Sequence, residues 1–170
     1  MPFDATPIIG QAGNISTLDR AVFEIAARGR INDHAKLRPI PPWHSSLHPE
    51  RIGGTLCVLL RARELIADEQ HWCRRTYARG WRGIPVPVQS AGAHRFCALG
   101  AIMRAGGELG LPIDDAHSVL EWQTVRPVQD WNDDSAQSHR DVLAAFDACI
   151  IAIERSGASR GSTGGVISRC

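Results

Sequence analysis

The amino-acid sequence predicts a mostly α-helical protein, a compact bundle of about five helices with a long proline-rich loop and flexible termini. Apolar residues recur at helical spacing in several segments, and 44% of the 170 residues are hydrophobic, which suffices to bury the core of one domain. The predicted organisation is an N-terminal arm with an appended helix and a Pro-rich loop over 1–54, a helical core domain over 55–155, and a Gly/Ser-rich tail over 156–170.

The N-terminal region is predicted to contain one helix. Residues 1–15 hold two prolines and two glycines, which indicates an arm that orders only on a docking site. The Ser16-x-x-Asp19 cap and the apolar positions after it predict a helix at about 17–28. Four prolines between residues 34 and 54 exclude a continuous helix there and predict a long loop.

The core domain is predicted to hold about five helices, four of which have assigned positions, and one short edge strand. The first of them, over 55–69, is apolar over most of its circumference. The central helix, over 91–105, ends at Gly106-Gly107, and its Ala and Gly residues predict that another segment approaches its backbone closely. A short strand is predicted at Ile84-x-Val86-x-Val88. Two more helices follow: one runs through residue 122 and is capped by Asp114 or Asp115, and the last begins between residues 133 and 138.

Composition argues against two large classes of function. Nineteen Lys and Arg balance 18 Asp and Glu to a net charge of +1, so the chain lacks the positive field of a dedicated DNA-binding protein or a peripheral membrane protein. No signal peptide, anchor or spanning segment is predicted, so we expect a cytoplasmic protein without membrane contact. Five cysteines without a Cys-x-x-Cys pair predict reduced thiols.

No metal and no cofactor is predicted. The sequence lacks the glycine-rich nucleotide loops, the His-Glu-x-x-His zinc motif and the Gly-x-Ser-x-Gly nucleophile elbow. His44 and His48 have the spacing of a helical metal pair that His71 and Cys73 would complete, but the neighbouring prolines argue against a regular helix that holds both histidines.

Aromatic residues and arginines interleave between positions 72 and 82. This pattern is typical of single-stranded nucleic-acid binding, in which bases stack on rings and arginines follow phosphates. The near-neutral total charge instead favours a solvated surface with its aromatic side chains turned inward, so nucleic acid is disfavoured. The binding candidates in this segment are Trp72, Arg75 and Trp81.

Cys97 is the candidate nucleophile. At the start of a helix its thiolate is favoured by backbone N–H groups, and a histidine base oriented by a polar side chain would complete a thiol hydrolase. The candidates for base and orienting group are His94, His117 and His139, and Asn132 and Asp133. The alternative is a buried apolar sulfur in a tight helix contact.

The stretch Trp131-Asn132-Asp133-Asp134 precedes the last predicted helix. Asn and Asp side chains at this place can cap the helix while Trp131 covers its apolar end. The alternative is a binding site, in which Asp133 is a carboxylate held at a pocket mouth beside Trp131 and Asn132.

At these two clusters the sequence resembles a family of bacterial and phage proteins known only as a domain of unknown function. Its elements are Phe/Tyr-Cys-x-x-Gly-Ala, Trp-Asn-Asp and Val-Leu-x-x-x-Asp, and the counterparts here begin at Phe96, Trp131 and Val142. The resemblance covers about residues 56–155 and implies a small, mostly helical domain with no established activity, substrate or cofactor. The family often has Arg-Thr shortly after Trp-Asn-Asp, where this chain has Gln137-Ser138.

The predicted function is that of a helical protein-interaction module of phage or mobile-element origin. It would bind a protein partner, or a second copy of itself, through its arms or through the surface of residues 70–90. The alternative is a thiol-dependent hydrolase or transferase that uses Cys97, which we favour less than a protein without catalytic activity. A weaker alternative is single-stranded nucleic-acid binding through residues 72–82.

Overall fold

A computed structural model describes the backbone of residues 49–158 and the side chains of residues 51–155. These residues form five α-helices, one 3-10 helix and two strands of two residues each. The elements are α1 (Pro49–Leu65), the 3-10 helix Glu69–His71, β1 (Ala78–Arg79), β2 (Arg95–Phe96), α2 (Ala98–Leu109), α3 (Asp114–Thr124), α4 (Val128–Asp133) and α5 (His139–Ala158). The predicted mostly helical fold is confirmed for this part of the chain.

The helices enclose an apolar core. α1 packs against α2 and α5, while α3 packs against α4 and α5. Large, fully buried side chains come from all five helices, among them Leu59, Ile102, Leu120, Val128 and Phe146. Burying one side chain of this size contributes about 1.5–3 kcal/mol, so the shared core holds the helices together.

The bounds predicted for α1, 55 and 69, are wrong. Residues 49–54, predicted as loop, are helical, because Pro49 lies in the first turn, where its missing N–H breaks no helical hydrogen bond. α1 ends at Leu65, and Asp68 then caps the 3-10 helix by accepting the Gln70 N–H at 3.1 Å.

Gly106-Gly107 does not end the central helix as predicted, and Gly53-Gly54 does not lie in the predicted loop. Gly53-Gly54 lies within α1, and Gly106-Gly107 lies within α2. α2 ends instead at Leu109, and its C-cap is Gly110, whose φ of 64° is the left-handed conformation that favours glycine. A Cβ on Gly106 would lie 2.2 Å from Cγ2 of Ile113, so close packing rather than chain reversal requires glycine at that position.

The strand predicted at 84–88 is also wrong. β1 and β2 pair with each other in antiparallel orientation, and the 84–88 segment joins β1 through an isolated bridge between Pro85 and Arg79. The Val86 N–H adds a hydrogen bond of 3.2 Å to the Ala78 carbonyl. The prolines of this segment have no N–H to donate, so the ladder does not continue.

The cap predicted for α3 is absent. Asp114 and Asp115 lie in its first turn, but its N-cap residue is Ile113, which makes no side-chain cap bond. Asp115 instead forms an ion pair of 2.8 Å with Arg51 of α1. Carboxylates in a first turn still interact favourably with the helix dipole.

Cysteine chemistry follows the prediction at three positions. Cys73, Cys97 and Cys149 are buried free thiols. Cys57 is disulfide-bonded, so the prediction of reduced cysteines is wrong for this residue.

Several predictions concern residues outside the described part of the chain: the arm 1–15, the helix 17–28, His44 and His48, and the tail beyond residue 158. Among the helices that are described, none has the length and apolar character needed to cross a membrane. Within the same residues, no group of three or more His, Cys, Asp or Glu side chains is arranged to hold a metal ion.

Candidate functional site

A buried asparagine joins three segments of the chain. The Asn132 side chain, at the end of α4, is fully buried, and its carboxamide fills all of its hydrogen-bonding positions. Its oxygen accepts the Trp72 indole N–H at 2.9 Å and the Ala98 backbone N–H at 3.0 Å. Its nitrogen donates to the Cys73 carbonyl at 3.3 Å and to the Asp133 carboxylate at 2.9 Å. We name these five residues the Asn132 junction.

The Asn132 carboxamide takes the place of one rung in a parallel ladder. Trp72 forms a parallel bridge with Phe96, and the Cys73 N–H donates to the Phe96 carbonyl at 3.1 Å. The next rung of such a ladder would run from the Ala98 N–H to the Cys73 carbonyl. Both groups bind Asn132 instead, so the side chain fastens the first residue of α2 to residues 72–73.

Asp133 does not cap the last helix, so that interpretation is wrong. Its Oδ1 accepts the backbone N–H of Arg75 at 2.7 Å, and Arg75 has a φ of 64°. A non-glycine residue in this left-handed region is strained, and the bond to Asp133 helps to hold it there. α5 begins at His139 and is capped by Ser138 and Asp141, whose side chains each accept the other's backbone N–H.

Trp72 is covered by protein groups. The Arg74 guanidinium carbon lies 4.7 Å from the Trp72 ring centroid, and the centroid of the His139 ring lies 5.8 Å away. Nε2 of His139 is itself 2.7 Å from the Ile66 carbonyl oxygen. Trp131 is buried as well. Three of the predicted binding residues, Trp72, Trp131 and Asn132, therefore contribute to packing.

Cys97 caps α2 with its sulfur. Its Sγ accepts the Gly100 N–H at 3.3 Å, and the residue is 1% exposed. Burial raises the pKa of the Cys97 thiol to about 11, although the hydrogen bonds from N–H groups at the helix start act to lower this pKa. A thiol nucleophile that works near neutral pH needs the opposite shift.

The three histidines predicted as bases make their contacts elsewhere. The His94 ring packs against Trp81 with centroids 4.2 Å apart, and His117 lies 3.9 Å from Glu121. His139 contacts the Ile66 carbonyl. Within residues 51–155 no hydrogen bond joins any of the three to Cys97, so the arrangement of a thiol hydrolase is not assembled there.

A tight turn over residues 80–84 projects from the end of β1. The Gly83 N–H donates to the Gly80 carbonyl at 2.9 Å, and the Gly80 N–H donates to the Ile84 carbonyl at 3.0 Å. Gly83 has a φ of 72°, which suits glycine. The Arg79 guanidinium donates to the Gly83 carbonyl at 2.6 Å, so the conformation of this 80–84 turn is fixed by hydrogen bonds.

The 80–84 turn presents two large apolar side chains to solvent. Trp81 is 83% exposed and Ile84 is 60% exposed, while Tyr77, before β1, is 41% exposed. The prediction that the aromatic side chains turn inward is therefore wrong for Trp81. Trp81 was also predicted as a binding residue, and it is accessible to a partner. Ile84 is not among the predicted binding residues, because its alternation with Val86 and Val88 indicated an edge strand.

Both features lie within residues 55–152, which match the family described as "Family of unknown function (DUF6197)". The chain belongs to this family. Membership confirms the predicted relation to a domain of unknown function. No curated protein and no solved structure matches the chain. Because the DUF6197 description carries no activity, the function has to be argued from the geometry of the described residues.

The DUF6197 match includes all three elements on which the resemblance rests, among them the stretches 96–101 and 131–133. In the structure these stretches contact each other through the hydrogen bond from the Ala98 N–H to Asn132. Gly100 belongs to the first stretch, and its N–H binds the Cys97 sulfur. The contacts give both stretches a structural role, which is to fasten α4 to the start of α2.

Proposed function

We propose that the protein is a non-enzymatic interaction module that binds a protein partner through the surface of residues 70–90, with Trp81 and Ile84 as anchors. The observation that supports this most directly is the exposure of Trp81, at 83%, on a turn fixed by hydrogen bonds. Tryptophan is enriched among the residues that dominate binding at protein interfaces. It buries a large apolar area, and a rigid turn reduces the entropy lost on binding.

Other features favour binding over turnover. Cys97 is buried, and burial raises the pKa of its thiol. The Asn132 junction leaves none of the carboxamide's hydrogen-bonding positions free for a ligand. The arms lie outside the described residues, so the surface of residues 70–90 carries the proposal. An origin in a phage or mobile element is supported by the family resemblance alone.

Site-specific photocrosslinking tests this proposal. A photoreactive amino acid replaces Arg82, which is exposed beside Trp81, and the purified protein is irradiated in an extract of the source organism. We expect a covalent adduct whose yield falls when Trp81→Ala is added. The same photoreactive residue at Val125, which is 70% exposed and directly follows α3, is the matched control.

The Trp81→Ala substitution should leave the midpoint of thermal unfolding unchanged, because the side chain is exposed, and this separates loss of binding from loss of fold. An adduct between two copies of the chain would support a homo-oligomer as the protein partner. Equal adducts at positions 82 and 125, or an adduct at 82 that does not depend on Trp81, would refute the proposal.

A further inference from the structure

We infer that the partner segment bound by this surface is an acidic peptide that carries a large apolar residue, an inference that rests on the proposed function. Residues 70–107 contain six arginines and no aspartate or glutamate. Arg104 is paired with Glu108 at 2.7 Å, but the other five form no ion pair with a carboxylate among the described residues, so this segment concentrates positive charge in a chain whose net charge is +1. Complementary potentials guide association and select partners, so an anionic segment fits this surface.

Two arginines lie side by side on the outer face of the β1–β2 pair. Ala78 and Phe96 are opposite each other and buried, so the next opposed pair, Arg79 and Arg95, faces outward. Like charges in directly opposed positions destabilise a strand pair. Neither arginine forms an ion pair with a carboxylate among the described residues. An anion bound at this face would reduce the repulsion.

The exposed charges flank the apolar anchor. Arg82 is exposed and follows Trp81 in the 80–84 turn. Arg95 is exposed and follows His94, whose ring centroid lies 4.2 Å from that of Trp81. A ligand residue that packs on Trp81 therefore places its own neighbours beside two guanidinium groups, and carboxylates there would form charge-assisted hydrogen bonds.

A single-stranded nucleic acid fits these observations less well. Continuous binding of a strand requires several accessible rings and free basic groups. Trp72 is bonded within the Asn132 junction. Three of the six arginines already donate to groups of the protein itself, namely Arg74, Arg79 and Arg104. Trp81 shares the 80–84 turn with the exposed aliphatic Ile84, and its ring already packs against His94 at a centroid distance of 4.2 Å, so the turn suits one apolar side chain better than a row of stacked bases.

Peptide selection tests the inference. A displayed library of random linear peptides is selected on the immobilised full-length protein, and peptides that also bind the Trp81→Ala variant are discarded. We expect the remaining peptides to carry Asp or Glu on both sides of a large apolar residue. Their binding, measured by fluorescence anisotropy, should weaken about threefold to fivefold with Arg82→Glu and again with Arg95→Glu. The control Arg140→Glu, at an exposed position on α5, makes the same change in net charge and should have no effect.

The outcomes separate this inference from the proposed function. The acidic partner would be refuted if the Trp81-dependent peptides lacked acidic residues, or if Arg140→Glu weakened the binding of acidic peptides as much as Arg82→Glu does. Either result would still support the docking surface. Failure to recover any Trp81-dependent peptide would count against both. Tighter binding of a fluorescent oligothymidylate than of the selected peptides, lost in Trp81→Ala, would replace the peptide with a nucleic acid.

Discussion

The Asn132 carboxamide is tolerated in the core because each donor and acceptor it carries has a partner. An amide buried without partners costs roughly 1–3 kcal/mol on the scale of protein mutations. Removing the side chain would take a hydrogen-bond partner from two buried groups, the Ala98 N–H and the Cys73 carbonyl, and from the part-buried Trp72 indole N–H. Asn132 therefore supplies hydrogen bonds that join α4 both to α2 and to residues 72–73.

We expect Asn132→Ala to lower the free energy of unfolding by roughly 3–5 kcal/mol, because several buried polar groups lose their partners at once. Urea denaturation measures the change. Asp130→Ala, at an exposed position of the same helix, is the matched control and should change stability by less than about 0.5 kcal/mol. An Asn132→Ala protein as stable as this control would show that water replaces the carboxamide.

At this scale the sequence indicated which residues to consider but could not assign their roles. Trp131-Asn132-Asp133 fits the composition of a helix cap, and capping was the favoured interpretation. The actual partners of Asn132, Trp72 and Ala98, lie 60 and 34 residues away along the chain, so no local pattern contains them. Trp72 and Trp81 differ little in sequence context, yet one is bonded within the junction and the other is exposed.

At the scale of elements, the start of α2 is held unusually close to the segment before β1. A Cβ built on Gly100 would lie 1.9 Å from the Tyr77 carbonyl oxygen, which is backbone and cannot move aside alone. The same carbonyl accepts the Cys97 N–H at 3.2 Å. The close approach predicted from the Ala and Gly residues of this helix is thus present at Gly100. Its partner could not be predicted, because residues 72–79 carry no regular strand pattern.

Two glycine substitutions inside helices should have opposite effects. Gly100→Ala is expected to destabilise the protein by about 1–3 kcal/mol or more, because the overlap with Tyr77 outweighs the gain in helix propensity. Gly53→Ala, in α1, meets nothing within 4 Å of its Cβ and should stabilise by about 0.4–1 kcal/mol. Thermal unfolding of both variants beside the parent measures the difference. Stabilisation by both would mean that residues 77 and 100 are not in close contact.

At the scale of the whole molecule, buried thiols link stability to pH. Burial raises the pKa of Cys73 to about 12 and that of Cys97 to about 11, from an ordinary value of 9.0, and it raises the pKa of Cys149 as well. The folded protein therefore keeps these protons at a pH where the unfolded chain has released them. The free energy of unfolding is therefore unaffected by these thiols below pH 9.0, the pKa in the unfolded chain, and it decreases as the pH rises from there toward the pKa values of the folded protein.

Cys97 gives the sharpest test of this dependence. Between pH 8 and pH 10 its thiol should cost the parent about 1 kcal/mol of unfolding free energy, since the full effect is roughly 1.4 kcal/mol per pH unit above the unfolded pKa. Cys97→Ser keeps an acceptor for the Gly100 N–H, but its hydroxyl does not titrate in this range. Between the two pH values the free energy of unfolding of the variant should therefore decrease by about 1 kcal/mol less than that of the parent. Urea denaturation of both proteins at the two pH values measures the difference. An identical pH dependence in the two would mean that the Cys97 thiol ionises as freely in the folded protein as in the unfolded chain, which would contradict its burial and restore it as a candidate nucleophile.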